Sequence, residues 1–186
     1  MNIAILASGA GSNAANIIQH FKNTSVRVNL IACNNPEAGV FQIAKDNSID
    51  SIVLTKENFK SSDQFVQELQ KREIDFVILA GFLWLVPTNL VKAFEDRIIN
   101  IHPALLPKFG GKGMYGHFVH EAVHLAQEVE SGITIHLVNE EFDKGKILFQ
   151  AKATVENCSA SEIEQKVRAL EIEHFPKAIE NFISKM

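Results

Sequence analysis

The feature that most constrains the fold is a pair of short apolar runs, each of which ends at glycine. Asn2–Ala7 runs into Ser8-Gly9-Ala10-Gly11-Ser12-Asn13, and Asp75–Ala80 runs into Gly81. Strands that are apolar on both sides are typical of parallel sheets, whose two faces are covered by helices. Because the carboxyl ends of parallel strands meet at one edge of a sheet, we expect Gly9 and Gly81 to share that edge.

Helical and strand patterns alternate between these two runs. Four apolar residues lie on one helical face after the first glycine loop: Ala14, Ile17, Ile18 and Phe21. A strand at 26–33, a helix at 40–46, a strand at 51–54 and a helix at 61–72 continue the pattern. The predicted fold class is α/β, a Rossmann-like and mostly parallel sheet with helices on both faces.

The last third of the chain has a different pattern. Residues 131–138 and 146–153 alternate with period two, which predicts paired antiparallel strands exposed on one face. Ser159 and Glu162 form a capping-box pattern that opens a final helix carrying Ile163, Val167 and Leu170 inward. Pro176 should kink or restart that helix.

Composition limits the class of protein. A chain of 186 residues with 46% hydrophobic content can bury the core of one domain, predicted to span 1–186. A net charge of −4 gives no general attraction for nucleic acid or an anionic membrane. The two cysteines form no CxxC pair, and no leader or membrane-spanning run is present, which predicts a reduced, cytoplasmic protein.

The first glycine loop allows three interpretations. Gly9 and Gly11 before a helix suit a phosphate, because backbone N–H groups can approach an anion there. The loop also fits a loose dinucleotide pattern, but no acidic residue follows the second strand, which runs into Asn34-Asn35. A single phosphate is favoured, and a glycine turn needed only for strand-to-helix packing remains the alternative.

Asn100-Ile101-His102-Pro103-Ala104-Leu105-Leu106-Pro107 follows an apolar run at 97–101. A histidine at the carboxyl end of such a strand marks either a reactive site or a strand cap before a proline-rich turn. Phe82–Pro87 is apolar where a loop would be polar, so it either packs as core, which is favoured, or lines a ligand pocket.

Two further segments carry polar groups. Lys108–Gly116 is too rich in glycine for a regular element and should be a mobile loop, followed by a helix with His117, His120 and His124 on one side. No further residues complete a zinc site, so no metal is expected. Asn139–Gly145 holds three carboxylates, which would ordinarily be a solvated turn.

Together these motifs resemble the phosphoribosylglycinamide formyltransferases, folate-dependent enzymes of purine synthesis, over essentially the whole chain. Four stretches carry the resemblance: 5–13, 79–82, 100–107, and 132–136 with 142–145. The Asn-x-His-Pro-x-Leu-Leu-Pro motif is specific for the formyltransferase superfamily rather than for one member. The resemblance implies formyl transfer from 10-formyltetrahydrofolate to the amine of glycinamide ribonucleotide, by a monomer or weak homodimer.

The resemblance also implies roles for individual residues. Those implied to be catalytic are Asn100, His102 and Asp143, with a charged imidazole and the amide stabilising an oxyanion. Gly11, Ser12 and Asn13 would bind the phosphate, and Glu171 the ribose. Leu83, Trp84 and Leu85 would border the folate, with Glu140 and Glu141 on its other side. Trp84 stands where the family often has arginine.

Three other functions stay open at this stage. A formyltetrahydrofolate hydrolase and a formyltransferase for another amine share the motif, although both are expected to carry additional domains. A nucleotide-binding domain that has kept the fold without catalysis is the third alternative.

Overall fold

The computed structural model describes residues 1–186, with seven strands and seven helices. The strands are β1 (Asn2–Ala7), β2 (Arg27–Cys33), β3 (Asp50–Val53), β4 (Phe76–Leu79), β5 (Ile98–His102), β6 (Glu130–Leu137) and β7 (Ile147–Thr154). The helices are α1 (Ser12–Phe21), α2 (Val40–Asp46), α3 (Lys56–Lys60), α4 (Gln64–Lys71), α5 (Thr88–Ala93), α6 (His117–Leu125) and α7 (Ala160–Ile183).

The strand order in the sheet is β3-β2-β1-β4-β5-β6-β7. β1 runs parallel to β2 and β4, and β2 runs parallel to β3, whereas β6 and β7 are antiparallel. The predicted fold class is confirmed. The chain divides into two compact units, Met1–Ile99 and Asn100–Met186, and the prediction of one domain stays a prediction.

In the first unit, the side chains of Ile3–Ala7 in β1 are fully buried, as expected for a strand that is covered on both faces. The ends of β1 and β4 are joined by hydrogen bonds. The Ser8 N–H donates to the Gly81 carbonyl at 3.1 Å, and the Leu83 N–H donates to Ser8 Oγ at 3.0 Å. The two glycine-terminated runs therefore end side by side, as expected.

The helix predicted at 61–72 is α4, which begins three residues later, after a bend at Ser61–Asp63. A separate short helix that the sequence did not predict, α3, precedes it and starts at a capping box between Thr55 and Asn58. One prediction for the first unit is wrong. The preference for Phe82–Pro87 as core fails at Leu83 and Leu85, which are 46% and 37% exposed. This segment is irregular rather than helical, and of its side chains only Val86 is buried, with Phe82 and Trp84 half-buried.

In the second unit, β6 is buried at every position after Glu130, contrary to the expected exposure on one face. Its neighbours in the sheet are β5 and β7, and α7 packs against it. The period-two pattern is expressed only in the edge strand β7, where half-buried and exposed residues largely alternate.

The final helix begins at the predicted capping box, in which Ser159 Oγ accepts from the Glu162 N–H. Ile163 and Val167 are buried and Leu170 is half-buried. Contrary to expectation, a single helix runs through Pro176. The proline contributes no N–H, but Phe175 and Pro176 are both buried, and this packing offsets the lost hydrogen bond. None of the seven helices combines the length and apolarity needed to cross a bilayer.

Candidate active site

The turn after His102 is held by a buried threonine. Thr134 Oγ1 donates to the Ala104 carbonyl at 2.7 Å and accepts from the Leu106 N–H at 2.9 Å. Gln150 Nε2 donates to the same hydroxyl at 2.8 Å and to the Leu106 carbonyl at 3.1 Å. The backbone that follows the reactive histidine is thus tied to β6 and β7, a role for Thr134 that the sequence reading did not find.

His102 ends β5 and is buried. Its Nδ1 lies 3.6 Å from Asp143 Oδ2, and its Nε2 lies 2.7 Å from the Phe109 carbonyl oxygen. Asp143 has a φ of +55° in the turn after β6, and its Oδ2 accepts from the Gly111 N–H at 2.8 Å. The structure therefore brings together His102 and Asp143, which are far apart in sequence, and it buries the carboxylate that a solvated turn would have exposed.

A second histidine, which the sequence reading left without a role, completes this cluster. His136 Nε2 lies 3.6 Å from Asp143 Oδ1 and 3.0 Å from Asn100 Nδ2. His136 Nδ1 lies 2.8 Å from the Leu137 carbonyl, which can only accept, so Nδ1 carries the proton. Nε2 then accepts from the Asn100 amide, and His136 fixes the direction in which that amide faces. We call Asn100, His102, His136 and Asp143 the transfer cluster.

Burial sets the protonation of the transfer cluster. Burial lowers the pKa of His102 by more than the Asp143 carboxylate and the Phe109 carbonyl raise it. Burial alone would raise the pKa of Asp143, but the positive charge that His136 or His102 gains on protonation and the hydrogen bond from the Gly111 N–H bring it below its ordinary value. These directions favour an ionised Asp143 beside a neutral His102 in the ligand-free protein, whereas the sequence suggested a charged imidazole.

The first glycine loop lies in the other unit. Gly11 has a φ of +83°, and a Cβ on it would lie 2.7 Å from Val40 Cγ2 and 2.8 Å from Ile43 Cδ1, so packing against α2 requires glycine. A Cβ on Gly9 would meet nothing within 4 Å. Ser12 is exposed and begins α1, whose N-terminus has no side-chain capping hydrogen bond.

The remaining predicted site residues lie at or near the surface. Trp84 is half-buried against Phe59 and Phe82, with Lys60 Nζ 5.1 Å from its ring centroid. Glu140 and Glu141 are exposed, and Glu171 is half-buried on α7. Their roles stay predictions.

The three histidines of α6 do not share one environment. His120 is buried, and His117 and His124 are exposed. His124 Nδ1 lies 2.9 Å from the Cys158 carbonyl. No group of three side chains that could hold a metal ion occurs in the structure.

With this geometry in place, sequence comparison decides the family, because the formyl transferase model matches residues 1–179. The chain belongs to the formyl transferase family. One relative of this formyl transferase, the chloroplastic phosphoribosylglycinamide formyltransferase of Arabidopsis thaliana, is 43% identical over 173 residues, or 89% of this chain. That match spans only 59% of the plant protein.

Bacterial relatives match this formyl transferase over nearly their whole length. The phosphoribosylglycinamide formyltransferase of Bacillus subtilis is 32% identical over 187 residues, covering 97% of this chain and 93% of that protein. The crystal structure of the enzyme from Bacillus halodurans matches with a TM-score of 0.90 and 34% identity, covering 100% of this chain and 96% of that one.

Proposed function

We propose that the chain transfers the formyl group of 10-formyltetrahydrofolate to the amine of glycinamide ribonucleotide, a step of de novo purine biosynthesis. The observation that carries the proposal is the buried transfer cluster, built on the Asn-x-His-Pro motif. The relatives named phosphoribosylglycinamide formyltransferase support the choice of amine.

The transfer cluster offers the groups that formyl transfer to an amine needs. His136 orients the Asn100 amide, whose second N–H can donate to the oxygen of a carbonyl under attack. A neutral His102 can take up the proton that the attacking amine must lose, and the resulting imidazolium can give it to the folate nitrogen as the bond from that nitrogen to the formyl carbon breaks. The adjacent Asp143 carboxylate stabilises the imidazolium that this proton uptake creates. No covalent link to the protein is required.

The chain's own residues fit the two ligands. Leu83 and Leu85 expose apolar side chains on either side of Trp84, a surface suited to a flat, partly apolar ring. When bound, the folate supplies the formyl carbon. We also assign Glu140 and Glu141 to folate binding, Gly11, Ser12 and Asn13 to the ribonucleotide phosphate, and Glu171 to the ribose hydroxyls.

We also propose a cytoplasmic location, action without a metal ion, and a monomer or weak homodimer. The location is supported by Cys33 and Cys158, both of which are free thiols. The net charge of −4 supports small-molecule substrates over nucleic acid.

An absorbance assay for the deformylated folate product tests this function. With 10-formyltetrahydrofolate, product should form when glycinamide ribonucleotide is added and should not form when it is omitted. Product formation without the ribonucleotide would instead indicate a hydrolase. No product under either condition, from protein that binds both ligands, would indicate a non-catalytic domain.

A further inference from the structure

We infer that the turn Phe109–Gly111 is the positioning element of the transfer cluster. Its Phe109 carbonyl keeps the His102 proton on Nε2 and leaves Nδ1 as the nitrogen that exchanges protons with the substrate. The catalytic half of this inference rests on the function proposed above, whereas the positioning half concerns the ligand-free protein.

The tautomer follows from the hydrogen bond between His102 and Phe109. A carbonyl oxygen can only accept, so at 2.7 Å the Nε2 of His102 must be the donor. A neutral imidazole has one N–H, which leaves Nδ1 without a proton. Asp143 Oδ2 lies 3.6 Å from Nδ1, too far for a hydrogen bond, so the carboxylate does not hold this tautomer. In the serine protease triad, by contrast, a carboxylate holds the histidine.

The backbone of the turn is specialised for this task. Phe109 has a φ of +54°, an unusual conformation for a bulky side chain and one that aims its carbonyl at His102. A Cβ on Gly110 would overlap Leu106 Cδ2 and lie 3.3 Å from Asp143 Cβ, so a larger residue there requires Leu106 or the turn to shift. The Gly111 N–H donates to Asp143 Oδ2 at 2.8 Å. Three consecutive residues thus hold both the imidazole and the carboxylate.

This arrangement determines what His102 can do first. The unprotonated Nδ1 faces an ionised carboxylate, so it can accept a proton but cannot donate one until it has done so. Nδ1 of His102 becomes a hydrogen-bond donor only after proton uptake. The order of events at His102 is therefore set by a backbone carbonyl.

Nitrogen NMR of the intact chain labelled with ¹⁵N in histidine reads the tautomer directly, because protonated and bare ring nitrogens differ in chemical shift. The seven histidines require assignment, which the spectrum of His102→Gln provides for His102. At neutral pH the His102 proton should reside on Nε2 in the wild type and in Asp143→Asn. A proton on Nδ1, or a tautomer mixture in either protein, would overturn the inference.

Substitutions in the loop test whether the turn Phe109–Gly111, rather than the rest of the loop, sets the tautomer of His102. Gly110→Ala should displace the turn, give a mixture of tautomers and lower kcat about 10- to 100-fold, with KM changed less than about twofold. Lys112→Ala is the matched control, since Lys112 is an exposed residue of the same loop. It should change neither quantity. Phe109→Gly keeps the carbonyl and should keep the proton on Nε2.

The outcomes are distinct. A folded Gly110→Ala protein with the proton still on Nε2, or Phe109→Gly with a mixture, would contradict the role of the turn. If Gly110→Ala does not fold, the results for Phe109→Gly and Asp143→Asn decide. A wild-type protein with the proton on Nε2 but no formyl transfer would remove the proposed function and support the positioning role alone.

Discussion

His102 is buried beside a carboxylate, and these two influences act on its pKa in opposite directions. Burial dominates, so the pKa of the imidazole lies below its ordinary value. The sequence could suggest the carboxylate partner but not the burial, because burial depends on how β5 and the turn after it are covered. Removal from water outweighs one ionic neighbour unless the pair makes a good hydrogen bond, and 3.6 Å is too long.

The lowered pKa of His102 predicts how stability depends on pH. The native state binds fewer protons than the unfolded state between the lowered pKa and the ordinary value of 6.5. Stability from this group is therefore complete above about pH 6.5 and is lost as the pH falls through the lowered pKa, at no more than about 1.4 kcal/mol per pH unit. The same direction applies to His120, whose pKa burial also lowers.

Urea unfolding at pH 7.5 and pH 5.5 tests this dependence. The wild type should lose more stability between these two pH values than His102→Gln. Because both proteins contain His120, the difference between their losses reports His102 alone. Equal losses in the two proteins would show that His102 is not held neutral by burial.

His136 shows where residue-level reading of the sequence stops. Asn100, His102 and Asp143 could be proposed because each stands in a recognisable stretch. His136 stands in one as well, but a histidine inside an apolar strand usually has only a structural role. Its function depends on its distances to Asn100 and Asp143, neither of which is its neighbour in sequence.

At the scale of secondary structure, the two glycines of the first loop have different surroundings. This difference bears on whether the loop binds a phosphate or is needed only for strand-to-helix packing. Gly11 is needed for packing against Val40 and Ile43, as the packing alternative requires. Gly9 has open space around its Cα and no left-handed backbone, so packing does not require glycine there. Only Gly9 can therefore test phosphate binding without disturbing the fold.

Gly9→Ala and Gly11→Ala should affect different properties, substrate binding in the first case and stability in the second. Gly11→Ala should lower the free energy of unfolding by about 1–3 kcal/mol, from backbone strain and overpacking. Gly9→Ala should leave stability unchanged and raise KM for the ribonucleotide about tenfold, with little change for the folate. Denaturant unfolding and steady-state kinetics measure both. Equal effects of Gly9→Ala on the two KM values would remove the phosphate assignment.

Secondary-structure elements that local sequence signals determine were predicted well, whereas features that depend on tertiary packing were not. The helix at 40–46 and the capping box at Ser159 match the structure. The continuous α7 through Pro176 and the burial of β6 do not follow from local signals, since both depend on what packs against them. Propensity and pattern are overridden by such packing.

At the scale of the whole molecule, the fold class followed from the apolar runs, because strands without a polar side must be covered on both faces. The transfer cluster did not follow as a whole. It draws on β5, on β6 and on the turns at Phe109–Gly111 and Asp143, and no periodicity in the sequence specifies how those turns are placed. The Phe109 carbonyl is the extreme case, since its contribution does not depend on its side chain.

The central claim, that His102 and Asp143 act as one unit in formyl transfer, is tested most directly by the turnover of Asp143→Asn, His102→Ala and the double mutant. Each single change should lower kcat by about 10²- to 10⁴-fold with KM nearly unchanged, whereas exposed His124→Ala should be near normal. Because residues that act together are not additive, the double mutant should be scarcely slower than the worse single mutant. Fully multiplicative losses, or near-normal turnover of Asp143→Asn, would contradict the account.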